Sequence, residues 1–201
     1  MRTVLAVSLA TLAVLSRPSS AQEAKPGAPR VLQAVPLSAS ASEQLAERVL
    51  AHPDLPQHRN GHRLAAIRVT AEDLVDAQAV AKTVVTVVLF DHTALEARRV
   101  TMDPATNQLL LNERLAGRPQ RSDRELAEAA ALVQHDSGLA RLLADGGVLD
   151  GGFIVDDPGG SRRRMIQMKL MSADRRALLR SIVVDLTLGE IASVSDSNGG
   201  R

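Results

Sequence analysis

The 201-residue sequence contains no cysteine, tryptophan or tyrosine, and only two phenylalanines. Without cysteine there can be no disulfides, thiolate metal ligands or thiol nucleophiles. Without aromatic platforms, single-stranded nucleic acid has nothing to stack on, and nucleic acid is not an expected partner. Strong charge of either sign is also missing, since 24 Lys and Arg stand against 23 Asp and Glu. Binding of a polyanion would therefore need a local patch rather than a global field. No cofactor is implied by the residues. What remains is a 45% hydrophobic chain whose core must be built from Leu, Val, Ile, Ala and Met.

The start reads as a leader. Arg2, the apolar run Val4 to Leu15, the breaker Pro18 and Ser19-Ser20-Ala21 have the three parts of a secretory signal peptide, residues 1–21, with cleavage expected before Gln22. The apolar run is short for a bilayer span, so no membrane span is expected. Cleavage would remove Arg2 and Arg17 and no acids, leaving 22 basic and 23 acidic side chains. The expected destination is the periplasm or the exterior.

Residues 22–37 hold Pro26, Pro29 and Pro36 and read as a flexible lead-in. Ser40-Ala41-Ser42-Glu43 fits a capping box, and Leu45, Ala46, Val49 and Leu50 follow at helical spacing until Pro53. Leu64 to Thr70 alternates as a strand, with Ala65, Ile67 and Val69 on one face and Arg68 and Thr70 on the other. Residues 72–82 fit a short helix or a loop. Thr83 to Leu115 reads as three antiparallel strands, with the second turn at Asp103-Pro104-Ala105-Thr106-Asn107.

After a linker at 117–121 the pattern restarts. Ser122-Asp123-Arg124-Glu125 is a second capping box, and Asp185 to Gly189 repeats the Asp103 to Asn107 turn 82 positions later. Leu126, Ala130 and Val133 mark a helix, and Gly138 to Gly147 extends or follows it. Strands are expected at Phe153 to Val155, Met165 to Met171, Leu178 to Asp185 and Glu190 to Val194. The shared offset argues for internal duplication. The expected fold is α+β: two tandem cystatin-like repeats, 38–116 and 122–196, each a helix packed on a curved antiparallel sheet, with a disordered tail at 197–201.

The segments LAAIRV, VVTVVLFDHTALEARRVTMDPATNQLLL and GRPQ resemble the second N-terminal domain of copper amine oxidases. ELAEAAALVQHDSGLARLLADGG and RSIVVDLTLGEIASV are similar to the third. In that family a large β-sandwich follows, carrying a quinone made from a tyrosine and a copper ion held by three histidines. This sequence has no such sandwich and no tyrosine, so no catalytic residue of the family maps onto it. The resemblance implies fold and descent without amine oxidation.

His52, His58 and His62 lie within eleven residues beside Asp54 and form the metal candidate, because imidazole and carboxylate suit zinc or copper. Pro53, Pro56 and Asn60-Gly61 leave that geometry to a loop, and a solvated polar loop is the alternative. His92 and His135 read as a turn residue and a helix-end charge. Arg162-Arg163-Arg164, Arg175-Arg176, Arg180, Arg98 and Arg99 read as an anion-binding surface or as charges that keep sheet edges soluble. Gln78-Ala79-Val80-Ala81-Lys82 echoes the cystatin inhibitory hairpin, but has Lys82 where that motif needs Gly. No nucleophile elbow or phosphate loop is present. The sequence thus predicts a secreted, non-catalytic binding or accessory module whose partner is a protein or an anionic ligand. The alternatives are a partner subunit of an amine oxidase catalytic body and a metal-binding periplasmic protein.

Overall fold

The computed structural model describes residues 30–55, 61–75 and 81–196. The expected leader, residues 22–29 of the lead-in, His58, residues 76–80 and the tail 197–201 lie outside them. Among the described residues the order is β1 (Arg30–Val35), α1 (Ala39–Leu50), β2 (Leu64–Val75), β3 (Ala81–Asp91), β4 (Glu96–Asp103), β5 (Gln108–Arg114), α2 (Asp123–His135), α3 (Ser137–Ala144), β6 (Val148–Val155), β7 (Met165–Met171), β8 (Leu178–Asp185) and β9 (Glu190–Asp196). The strands make two antiparallel sheets in sequential order, β1 to β5 and β6 to β9. No helix among the described residues is long and apolar enough to cross a membrane.

Each sheet has its own core. In the first, Val85, Val87 and Leu89 of β3 meet Val100 and Met102 of β4 beneath Val49 of α1. In the second, Ile166, Met168, Leu170, Ile182 and Val184 pack under Ala129 and Val133 of α2 and Leu139 of α3. The alternation expected over Met165 to Met171 is present, with Ile166, Met168 and Leu170 buried and Lys169 exposed. A third, small cluster of Ile67, Val88, Phe90 and Ala97 lies on the opposite face of the first sheet, against Leu115.

The repeat is visible in register. The oxygen Oδ1 of Asp103 accepts from the amides of Ala105 and Thr106, and Oδ1 of Asp185 accepts from those of Thr187 and Leu188. The left-handed residue that closes each turn is Asn107 (φ 58°) in one and Gly189 (φ 72°) in the other. One strand residue is then skipped in each ladder, Leu110 after Leu109 and Ala192 after Ile191. All three features keep the offset of 82. The β3–β4 turn follows the same plan, with Asp91 Oδ1 accepting from Thr93 and Ala94 and Leu95 at φ 54°.

Several expectations need correction. The first helix is capped by Ser38, whose side chain accepts from the amide of Ala41. Ser40 and Glu43 are inside the helix, because Pro36 and Leu37 stay extended and leave Ser38 as the turning point. Ala41 then occupies the third helical position, so the reciprocal half of a capping box is absent. Within the lead-in, Arg30–Val35 pairs with β2 as an edge strand. Residues 72–75 and 81–82 are strand, since β2 and β3 extend well beyond the apolar run.

The alternation in β2 is also broken. Ala66 pairs with Leu89 and Arg68 with Val88, which leaves Ile67 as an extra bulged residue. A bulge shifts the side-chain parity. Ala66, Val69 and Ala71 therefore face the α1 core, while Ile67 joins the cluster on the other face, next to Arg68.

Gly189 is exposed, with open space where a Cβ would sit, so its substitution by Ala reports backbone strain alone. Gly189→Ala is expected to lower unfolding free energy by about 1–2 kcal/mol, the cost of left-handed backbone in an L-residue. Gly117→Ala, with equal space and no positive φ, is expected to be neutral. Urea denaturation of both variants checks this.

Candidate functional site

The two units meet around a buried arginine. Arg164, immediately before β7, is 1% exposed. Its Nε and Nη2 donate to the two carboxylate oxygens of Glu125, at 2.6 and 3.0 Å. Nη1 donates to the carbonyl of Pro119 at 2.7 Å, and Nη2 also to that of Gln120 at 2.9 Å. The guanidinium lies 5.5 Å from the ring centroid of Phe90 in the first unit. Glu125 is the capping-box carboxylate of α2, and it also accepts from the amide of Ser122. One carboxylate thus starts a helix and neutralises a cation that has left water. The run Arg162-Arg163-Arg164 gave no sign of which arginine would be buried. Only a partner 39 residues away in the chain decides it.

The other two arginines differ. Arg163 is engaged by Asp157 and, at 2.9 Å, by Asp185 Oδ2. The Arg163 contact with Asp185 Oδ2 neutralises charge without the alignment of a hydrogen bond, so this buried oxygen has a cation beside it but no donor. The Ser161 hydroxyl, the Gly159 amide and Arg163 hold the Asp157 carboxyl down at about 2. Arg162 is exposed. The expected triple-arginine surface is therefore reduced to one outward arginine. Arg180 is paired with Asp196, and Arg176 lies 3.9 Å from Asp174. Arg98 is held between Glu96 and Asn112.

The β8–β9 turn docks on the first unit. Arg63 Nη1 donates to the carbonyls of Leu186 and Thr187, and Nη2 to Glu128 Oε1 at 2.6 Å. His92 is 6% exposed. Its Nδ1 is 3.3 Å from Thr187 Oγ1, and its ring meets Phe90 edge-on at 5.0 Å. Burial, followed by the cationic neighbour Arg63, lowers the His92 pKa from 6.5 to about 4. Arg164 acts in the same direction, and Glu125 and Asp91 oppose it. His92 does lie in a turn as expected, but it is an inter-unit contact rather than a solvated residue.

The metal candidates are separated. His52 Nδ1 accepts from the amide of Asp54, and Nε2 is 2.8 Å from the carbonyl of Asn107 in the β4–β5 turn. His62 Nδ1 is 2.6 Å from Asp91 Oδ2, at the end where β3 pairs with the start of β4. The whole of β4 lies between the two positions, a span of about 23 Å at the usual rise per strand residue. His52 and His62 are not brought together, His58 lies outside the described residues, and no group of three metal-ligating side chains occurs among the described residues.

One groove among the described residues is formed by the linker. After β5 the chain crosses the outer face of the first sheet, leaving a groove of about 480 Å³ over Ile67 and Val88, walled by Leu115 and Pro119. Arg68, Arg99, Arg118 and Arg121 line it, against Asp123. Arg118 donates to the carbonyls of Val155 and Ser161, and Arg121 to that of Gly152. The bonds to Val155 and Gly152 occupy carbonyls of β6, the outer strand of its sheet, and so hinder strand addition there. The approach is close: a Cβ on Gly152 (φ 101°) would meet Leu126 at 2.6 Å and Arg121 at 3.1 Å.

The chain matches no protein-family model and no curated protein by sequence. Its fold is similar to that of a copper-containing benzylamine oxidase from Hansenula polymorpha, with a TM-score of 0.52 and 11% identity. The likeness covers 86% of this chain and 30% of that oxidase. At this identity the kinship seen is one of fold.

Removing one partner of the buried pair should be severe. Arg164→Ala or Glu125→Ala is expected to cost about 3–5 kcal/mol in denaturant unfolding, because an uncompensated charge is left inside. Arg164→Met combined with Glu125→Leu is expected to lose less than the sum of the singles. For His92, the unfolded chain takes up a proton below pH 6.5 that the folded chain refuses until about 4. Its contribution is fully present above pH 6.5 and lost as pH falls toward 4, a change of about 3 kcal/mol. His92→Gln should flatten the stability profile across that window, as read from urea midpoints at a series of pH values.

Proposed function

We propose that the protein is a secreted, non-catalytic binding or accessory module related to the N-terminal domains of copper amine oxidases. The observation that carries this reading is the oxidase-like fold extending over 86% of the chain. Assignment of 38–116 and 122–196 to the second and third such domains is part of the proposal, and so is export after cleavage before Gln22. The 201 residues include no tyrosine from which a quinone could form. Buried polar groups are engaged by protein partners: Arg164 by Glu125, Asp185 Oδ1 by the amides of its own turn, and Asp91 by His62. Such pairing suits a scaffold, since catalysis needs an acid, base or nucleophile left available.

A partner subunit of an amine oxidase catalytic body is the second reading, and the same fold likeness favours it. One experiment separates the two. The tagged chain is used to capture partners from its native secreted fraction, and the captured proteins are stained by quinone redox cycling. An independent binder gives no quinone-positive band, whereas a detached accessory unit gives one. The purified chain, incubated with copper and benzylamine, is expected to release no hydrogen peroxide. Peroxide above the level of a boiled control would overturn the non-catalytic reading.

A further inference from the structure

Arg68, Val88 and Arg99 stand in one row across three neighbouring strands, because β2 pairs Arg68 with Val88 and β3 pairs Val88 with Arg99. Residues paired across a sheet share a face, so the two arginines flank the valine on the groove side, about 10 Å apart at the backbone. The bulge at Ile67 is what puts an apolar residue and Arg68 side by side on that face. Without it the chain would send one of the two into the α1 core.

The charge of this row is poorly neutralised. Arg68 is exposed and has no hydrogen-bond or ion-pair partner among the described residues, and β1 stops at Ala71, short of it. Arg99 is half exposed and reaches Glu113 through one nitrogen, at 3.1 Å. Arg121 sits 3.4 Å from Asp123, whose own carboxylate is turned fully to solvent. Between the cations lies a buried apolar floor, Ile67 at 9% and Val88 at 5% exposure.

We infer that this groove is a binding site for a small organic anion, a molecule with one carboxylate or sulfonate group on a flat apolar body. The acidic group would sit between Arg68 and Arg99, whose planar guanidinium groups suit paired oxygens. The apolar body would cover Ile67 and Val88 against Leu115. A volume of about 480 Å³ is in the range of small-molecule sites. The same rim repels organic cations, so the groove is not an amine site. A long polyanion is disfavoured, because the chain carries a formal charge of only +1 and has no extended field to hold one.

The test uses anilinonaphthalene sulfonate as the anion and N-phenyl-1-naphthylamine as its uncharged counterpart, titrated by fluorescence and calorimetry at pH 7. Saturable binding of one sulfonate per chain is expected, weaker in high salt and at least about tenfold tighter than the amine. Arg68→Ala should weaken the sulfonate about tenfold and Arg68→Ala with Arg99→Ala should abolish saturation, while Arg162→Ala should change nothing. Because Arg68 is unpartnered, its variant should unfold at the same urea concentration as the parent, which separates lost binding from lost structure. No saturable binding, equal affinity for the uncharged compound, or an unchanged affinity in the double variant would overturn the assignment.

Discussion

A guanidinium withdrawn from water is the constraint on which the arrangement depends. Isolated, Arg164 would be untenable in its position, since an unpaired buried charge costs far more than one side chain's packing returns. It is tolerated because four of its donors find acceptors: two oxygens of Glu125 and the carbonyls of Pro119 and Gln120. Those acceptors belong to the start of α2 and to the linker. Holding the arginine therefore holds the helix start, the course of the linker and the beginning of β7 in one relationship. The pair need not add net stability over an apolar pair of equal volume. Its effect is to make alternative placements of the linker unfavourable.

The first unit is attached to the same centre through the buried ring of Phe90. Phe90 lies beneath Arg164 and beside His92, and Arg63 reaches across to the carbonyls of the β8–β9 turn. The two repeats, alike in turn and bulge, diverge where they touch. Asp103 is half-buried at an outer turn, whereas its counterpart Asp185 is fully buried with Arg163 against it. The two units carry similar hairpins, and one of them forms the interface. The linker also does two jobs: it roofs the groove over Ile67 and Val88, and its arginines cap carbonyls along β6.

This division of labour bears on function. The buried Arg164 and Glu125 satisfy each other, whereas Arg68 and Arg99 face solvent beside an apolar groove. The likeness to an amine oxidase is a likeness of scaffold, over 30% of that enzyme.

The sequence by itself determined the features that depend on near neighbours. The capping box of Ser122 and Glu125, the Asp103 and Asp185 turns and the alternation over Met165 to Met171 were all legible, because each is closed by contacts within a few residues. The α+β class and the tandem repeat followed from their spacing. Tertiary structure alone decided the rest. Arg30–Val35 became a strand only by pairing with β2, and Ile67 changed faces only through a mismatch with β3. Arg164 was buried while Arg162 stayed in water, and His52 and His62 were drawn to opposite ends of a sheet. Each of these outcomes rests on a partner distant in the chain, as does the contact of Arg63 with Thr187, 124 residues away, and no local pattern records such a partner.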